Sequence, residues 1–346
     1  MERALNALYP EELKAYMEEI GQAGFRAKQL FHFFHVEKRL DLENAQVLPQ
    51  TLRNQLRSEI IRGGKILETY RSVDGSRKYL IGFESGGVIE TVYMPYSDRN
   101  TLCVSSQIGC RMGCRFCAST KAKFDRSLAA EEILSQVYLV EEDTETRIDN
   151  IVLMGIGEPL DNYDEVIRFI RLVTDPAGKK LSARSITLSS CGLIPGIYRL
   201  AEEGLQVNLA ISLHATSDRK RRETMPIASK YSISEILKAC RHYFDKTGRR
   251  VSFEYVLIKG VNDQMEDILW MADHLTGPES HVNLIPLNRI DEFRAEAAEQ
   301  EALIAFQRQL EAKGVTVTIR NRRAGDIDGA CGQLRIEHAE GAEPTL

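Results

Sequence analysis

The chain has 346 residues, of which 43% are hydrophobic and 27% charged. It is long enough to bury a full core and too apolar for a disordered tail. The formal net charge of -5 argues against bulk electrostatic capture of nucleic acid but leaves room for a local basic face. No apolar stretch is long enough to span a bilayer, and MERALNALYPEELKAY lacks the basic-then-apolar pattern of a signal peptide. A cytoplasmic location with no membrane partner is expected.

Residues 1–62 read as helical. PEELKAYMEEIG, FRAKQLFHFFHV and LPQTLRNQLRSEI repeat apolar residues at three- and four-residue spacing. Residues 63–98 read as a β meander, with KILETYRS, RKYLIGFE and VIETVYMP separated by the turn segments VDGS and SGG. From 99 to 346 strands alternate with amphipathic helices. The strands are TLCVSS, NIVLMG, SITLSS, VNLAISLH, VSFEYVLI, HVNLIPL and VTVTIR. This alternation predicts an α/β fold with a parallel sheet, doubly wound or closing toward a barrel, with chemistry at the carboxyl ends of the strands.

The first of those strands runs into SSQIGCRMGCRFCAST, which puts Cys110, Cys114 and Cys117 in one loop spaced C-x3-C-x2-C. A structural zinc ion normally takes four ligands in two paired knuckles, and the chain has no second C-x2-C pair. Three thiolates around a four-iron cluster leave one iron open to an outside ligand, as a substrate-activating cluster needs. The cluster reading is therefore preferred, and a zinc-stabilised RNA-binding module without catalysis is the alternative from another class. Further along, LMGIGEPLDN places Gly155, Gly157 and Glu158 after the second strand. There the glycines allow close backbone approach, and Glu158 can accept from an ammonium group. LSSCG and ISLHA also end strands. Taken alone, His214 reads as a structural histidine and Asn288 of NLIPLN as a turn residue. Cys331 reads as a buried small hydrophobe, Glu90 as a surface ion-pair residue, and Cys191 and Cys240 as packing residues.

The cysteine loop, with Phe116 before its third cysteine, resembles the radical S-adenosylmethionine (SAM) superfamily. ETVYMP, RNTLCVSSQIGCRMGCRFCAST, GIGEPLDNYDEV, AISLHA, FEYVLIKGVND, VNLIPLN and DIDGACGQLR together resemble the RlmN/Cfr family of RNA methyltransferases, over nearly the whole chain. The resemblance implies a partial TIM-like (βα)6 barrel with a helical N-terminal RNA-binding part and a β extension. It implies adenine methylation in 23S rRNA and in tRNA, and a [4Fe-4S] cluster on Cys110, Cys114 and Cys117. SAM acts as methyl donor and radical source, contacted by Gly157, Glu158, Ser189, Ser212, Leu213, His214 and Asn288.

In the same reading Cys331 carries the methyl group and Cys103 is its disulfide partner late in the reaction, while Glu90 accepts a proton. An electron donor such as flavodoxin and a monomeric state are expected. Pro159 and NLIPLN favour adenine C2 as the target, and a C8 methyltransferase is the nearer alternative. Two departures from the family pattern stand out. Ile156 replaces a usual methionine, an expected packing change. Gly329 replaces a usual alanine, which is expected to loosen the segment carrying Cys331. Basic residues at SDRKRRE (Arg219, Lys220, Arg221, Arg222) and TIRNRRAG (Arg320, Arg322, Arg323) are candidate RNA contacts.

Overall fold

The structure, a computed structural model, describes residues 3–121 and 123–335. Three helices come first: α1 (Pro10–Glu19), α2 (Phe25–His35) and α3 (Gln50–Gln55). An antiparallel meander follows, made of β1 (Gly64–Arg71), β2 (Arg77–Phe83) and β3 (Val88–Pro95). The rest is β4 (Asn100–Cys103), the small hairpin β5 (Gln107–Ile108) and β6 (Arg126–Ser127), α4 (Ala130–Thr144), β7 (Asn150–Leu153), α5 (Tyr163–Thr174), β8 (Ile186–Ser190) and α6 (Ile194–Glu202). Then come β9 (Asn208–Ser212), α7 (Asp218–Thr224), α8 (Ile233–Thr247), β10 (Val251–Leu257), α9 (Met265–His274), β11 (Ser280–Pro286), α10 (Gln300–Ala312) and β12 (Val317–Ile319).

One ten-stranded sheet runs β1-β2-β3-β4-β7-β8-β9-β10-β11-β12. It is antiparallel up to β4 and parallel from β4 onward. The parallel part holds six βα units and ends on the short β12, so the α/β reading with a partial (βα)6 barrel and a β extension holds. Local sequence explains the boundaries. α8 opens on a Ser232–Glu235 capping box and ends on Gly248 at φ +65°, where a side chain would be strained.

The helical segment does not stand apart. Leu13, Phe31 and Phe34 belong to the same continuous apolar core as the barrel residues Leu188, Leu209 and Phe253. Glu12 takes two bonds from Arg168 of α5, at 2.6 and 2.9 Å. His35 contacts Tyr138 of α4 at 3.1 Å. Among the described residues no helix is long and apolar enough to cross a membrane.

Candidate active site

The strand ends and the loops after them enclose a cavity of about 160 Å³. Cys110, Cys114, Cys117, Gly157, Glu158, Ser189, Ser212, His214, Asn288 and Cys331 all line it. Burial raises all three loop thiols, Cys110 to about 12, and for Cys114 the neighbouring Cys117 and Cys110 add to the rise. Three thiols that oppose one another's ionisation need a multivalent cation among them to become thiolates. All three thiols line one cavity, and with no second C-x2-C pair in the chain they suit a sulfur-ligated group that keeps one position open. This donor set fits a cluster of several irons.

The glycines are needed where they stand. Gly157 has φ +107°, and a Cβ there would meet Gln107 Cβ at 2.6 Å and Gln107 N at 2.8 Å. Gln107 in turn accepts the Glu158 N–H at 2.9 Å, which fixes the loop. Buried Glu158 accepts from the amides of Cys191 (2.8 Å) and Leu160 (3.1 Å). Burial raises its pKa, and those amides oppose the rise. His214 sits in the left-handed region at φ +54°, strain of a kind found at functional sites. Its Nδ1 accepts from Val256 N at 3.0 Å, leaving the proton on Nε2. Burial lowers its pKa to about 3, so the ring is neutral. Asn288 donates to the Cys331 carbonyl at 3.0 Å, while its buried Oδ1 has no partner. That orphan acceptor suits a polar ligand such as SAM.

Leu213 differs from the other expected SAM contacts. It is fully buried in the core, outside the cavity lining. Its amide donates to Glu254 O (3.1 Å), and its carbonyl accepts from Arg221 Nε (3.2 Å). The alternation that turns Ser212 inward turns Leu213 into the core.

A second cavity, about 520 Å³, meets the first at Met154, Ile285, Asn288 and Cys331. It is lined by Arg99, Arg184, Arg320, Arg322 and Arg323, and also by Cys103. Cys331 therefore borders both cavities and Cys103 only the second. All seven cysteines are free. Cys331 lies close enough to Cys103 to bear on its charge. Burial pushes Cys103 up to about 12, and the nearby Cys331 adds to it. The Cys331 side chain is open to the cavities but walled by protein, which raises its pKa, while Arg320 draws it down.

The segment carrying Cys331 is pinned to the cysteine loop. Ala118 N–H donates to Gly332 O (2.7 Å), and Ser119 Oγ donates to Leu334 O (2.7 Å). Arg335 N–H donates to Glu90 Oε2 (2.8 Å). Glu90 is buried, not a surface residue, and it pairs with buried Lys78 at 2.9 Å. It lines neither cavity. At Gly329 a Cβ would lie 2.8 Å from Ala324 Cβ. The small residue allows that close packing. Ile156 is fully buried beside Cys103 and Leu334, as a packing substitution should be.

In the SDRKRRE run two of the four cations, Lys220 and Arg221, are withdrawn from the surface, while Arg219 and Arg222 are exposed. Arg221 is fully buried and donates to the carbonyls of Cys191, Ser212 and Leu213, bracing the cavity wall from behind. Lys220 is buried against Glu266 and Asp267, and Arg219 pairs with Glu223. In the second run, Arg320 lies 3.8 Å from Glu254, and Arg323 stacks on Tyr96 and reaches Asp74. Sequence reasoning missed Cys191, which lines the first cavity next to Cys114 and Met225, and Met154, which lines both. Their positions directly after β8 and β7 were the available signal. Cys240 is buried in the core, as a packing residue.

A model of the Radical SAM superfamily matches residues 104–272. A probable dual-specificity RNA methyltransferase RlmN of Lachnospira eligens is 45% identical, over 97% of this chain and 97% of its own. One from Clostridium perfringens (strain 13) is 48% identical over 94% of each chain. The crystal structure of a radical SAM methyltransferase from Sphaerobacter thermophilus superposes with a TM-score of 0.91 at 40% identity, covering 96% of this chain and 99% of that one.

Proposed function

This chain belongs to the RlmN family of radical SAM RNA methyltransferases, and we propose that it methylates C2 of adenosine in 23S rRNA and tRNA through a methyl group carried on Cys331. One observation carries the proposal. Cys331 alone among the cysteines borders both the cavity of the three-thiol loop and the arginine-lined cavity.

Adenine C2 is an electrophilic carbon and does not displace a methyl group from SAM. A thiolate does, so Cys331 takes the methyl group by displacement in the first cavity. There Glu158 and the orphan Oδ1 of Asn288 offer acceptors for a cationic ligand, with Gly157, Ser189, Ser212 and His214 around them. Cys110, Cys114 and Cys117 would hold a [4Fe-4S] cluster, which supplies the electron for reductive cleavage of SAM. The adenine enters through the second cavity, where the arginines meet phosphates; the adenosyl radical from cleaved SAM would take one hydrogen atom from the methyl group on Cys331, and the methylene radical left behind would add to C2. Cys103, which borders only this cavity, attacks the Cys331 sulfur as the C2 proton leaves. That would break the sulfur–carbon bond, the freed methylene would take up a proton to become the methyl group, one electron would return to the cluster, and a disulfide would be left between the two cysteines. Glu90, held between Lys78 and the Arg335 amide, is the candidate acceptor for the proton, reached when the segment over it shifts. The helices of residues 1–62 are the candidate hold on the folded RNA, since the base must be drawn from its stack.

Mass-spectrometric mapping of the methylated carbon on RNA treated with the reconstituted enzyme tests the assignment. Methyl at C2 is expected, and methyl at C8 would move the chain to the other branch of the family. Methylated Cys331 in protein isolated from cells is the companion result. Its absence would remove the carrier mechanism.

A further inference from the structure

Behind the wall of the first cavity lies a buried charge with no opposite number. Arg221 is fully buried, as few arginines are, and it lines neither cavity. Its guanidinium donates to three neutral carbonyls, those of Cys191 (2.7 Å), Ser212 (3.2 Å) and Leu213 (3.2 Å). Its Nη1 is buried without a partner. Other withdrawn cations are matched: Lys78 has Glu90, Lys179 has Glu141 and Lys220 has Asp267. Among the described residues no carboxylate stands within ion-pair distance of Arg221. The two nearest are engaged elsewhere. Half-buried Asp218 accepts from Ile233 N–H (2.8 Å), and Glu158 takes the Cys191 amide (2.8 Å). Neutral dipoles do not make up for a charge taken out of water, and an arginine does not escape by losing its proton. What faces Arg221 is sulfur. Cys191 packs with Cys114 and Met225, and Arg115 N–H donates to Thr224 O (2.9 Å), which joins the end of α7 to the cysteine loop. Burial lowers the Arg221 pKa, and Cys191, Cys114 and Asp218 oppose that fall. Burial raises the Cys114 thiol, while Arg221 pulls it down.

We propose that Arg221 is the fixed countercharge of the thiolate-held cluster, a positioning residue that acts through the cavity wall and makes the cluster easier to reduce. The proposal rests on the cluster reading above. A four-iron core on three thiolates is an anion whose charge grows on reduction. A fixed cation beside Cys114 therefore stabilises the reduced form more than the oxidised one, and the surroundings of low dielectric strengthen that preference. The carboxylate of SAM is the less suitable partner, because Arg221 borders neither cavity and does not reach a ligand held there. Its three carbonyl bonds hold the guanidinium in place, so the charge stays where the thiolates need it.

The test compares the wild type, Arg221→Gln and Arg221→Lys, each reconstituted with iron and sulfide, assayed for iron, and titrated potentiometrically without SAM. Electron paramagnetic resonance reads the reduced cluster. Glutamine keeps donors for the carbonyls and removes the charge, whereas lysine keeps the charge and loses the planar fork. At a fixed potential Arg221→Gln should show a ratio of reduced to oxidised cluster about tenfold lower, a midpoint lower by about 59 mV for one electron. Arg221→Lys should recover most of that shift, whatever it loses in thermal stability. A glutamine variant with the wild-type midpoint overturns the proposal. So does a lysine variant shifted as far as the glutamine one, which would make the carbonyl bonds the cause. If Arg221→Gln takes up no iron and Arg221→Lys does, the charge is needed even for assembly and the proposal stands. If neither takes up iron, Arg221 is a brace of the wall and the proposal falls. A wild type that loads zinc in place of iron would sink the cluster reading and the proposal with it, and its metal content tells that failure from the others.

Discussion

Cys331 borders both cavities and Cys103 only the arginine-lined one, so removing either thiol should stop the reaction at a different stage. Cys331→Ala has nothing to methylate and should give neither methylated protein nor RNA adduct, with its iron content intact. Cys103→Ala should still be methylated and still join adenine, then stall with RNA bound through a methylene bridge. A denaturing gel of Cys103→Ala made in cells, with and without ribonuclease, reads this as a mobility shift that ribonuclease collapses. Two inactive, adduct-free variants would contradict the two-thiol chemistry. Backbone conformation makes an equally local demand at Gly157. A methyl group there meets Gln107 backbone at φ +107°. Gly157→Ala should therefore lose roughly 1–3 kcal/mol of stability and bind SAM more weakly. Chemical denaturation and a SAM titration check the two effects separately, and a neutral result in both would show that the loop yields.

At the scale of elements, much was legible because the signals were local. β-branched runs bounded by Gly, Pro and Ser gave the strands, and the three-thiol spacing gave the loop. The direction of a side chain is not local, and sequence does not carry it. SDRKRRE is basic by composition, but α7 turns Arg221 and Lys220 inward, where carbonyls and carboxylates receive them. Gly329 reads as slack in sequence, and the nearness of Ala324 is not written there. The join between α2 and α4 was equally hidden, and it predicts acid sensitivity. Burial lowers the His35 pKa from its usual 6.5 to about 3. Below pH 6.5 the unfolded chain therefore binds a proton that the folded chain refuses. Stability should fall as pH drops from 6.5 toward 3, by at most about 1.4 kcal/mol per pH unit from this residue. Thermal melts across that range should slope less steeply for His35→Leu than for the wild type. Equal slopes would mean that His35 is protonated at no cost in the fold.

At the scale of the whole molecule, an acidic chain must still hold a polyanion, and it does so by position rather than by total charge. Five arginines line the 520 Å³ cavity that leads to both thiols, but they are not equivalent. Arg320 faces Glu254 and Arg323 faces Asp74, so each is partly neutralised already. Removing Arg320 would also leave a buried carboxylate beside Cys331 without its cation. Arg184 and Arg322 are exposed, and neither has a carboxylate partner among the described ion pairs. They are the cleaner probes. Each phosphate left without its cation should reduce the slope of log affinity against log salt by roughly 0.7 to 0.9. Arg184→Gln/Arg322→Gln should therefore flatten the RNA-binding slope by about 1.4 to 1.8 in total, while SAM affinity, set in the other cavity, stays as it was. Filter binding over a salt series measures the first and equilibrium dialysis the second. A slope equal to the wild type's would make these two arginines a solvated rim and leave RNA capture to the helices of residues 1–62. Parallel losses of RNA and SAM affinity would instead mean that the two cavities are not independent, and that Cys331 does not divide them as its position suggests.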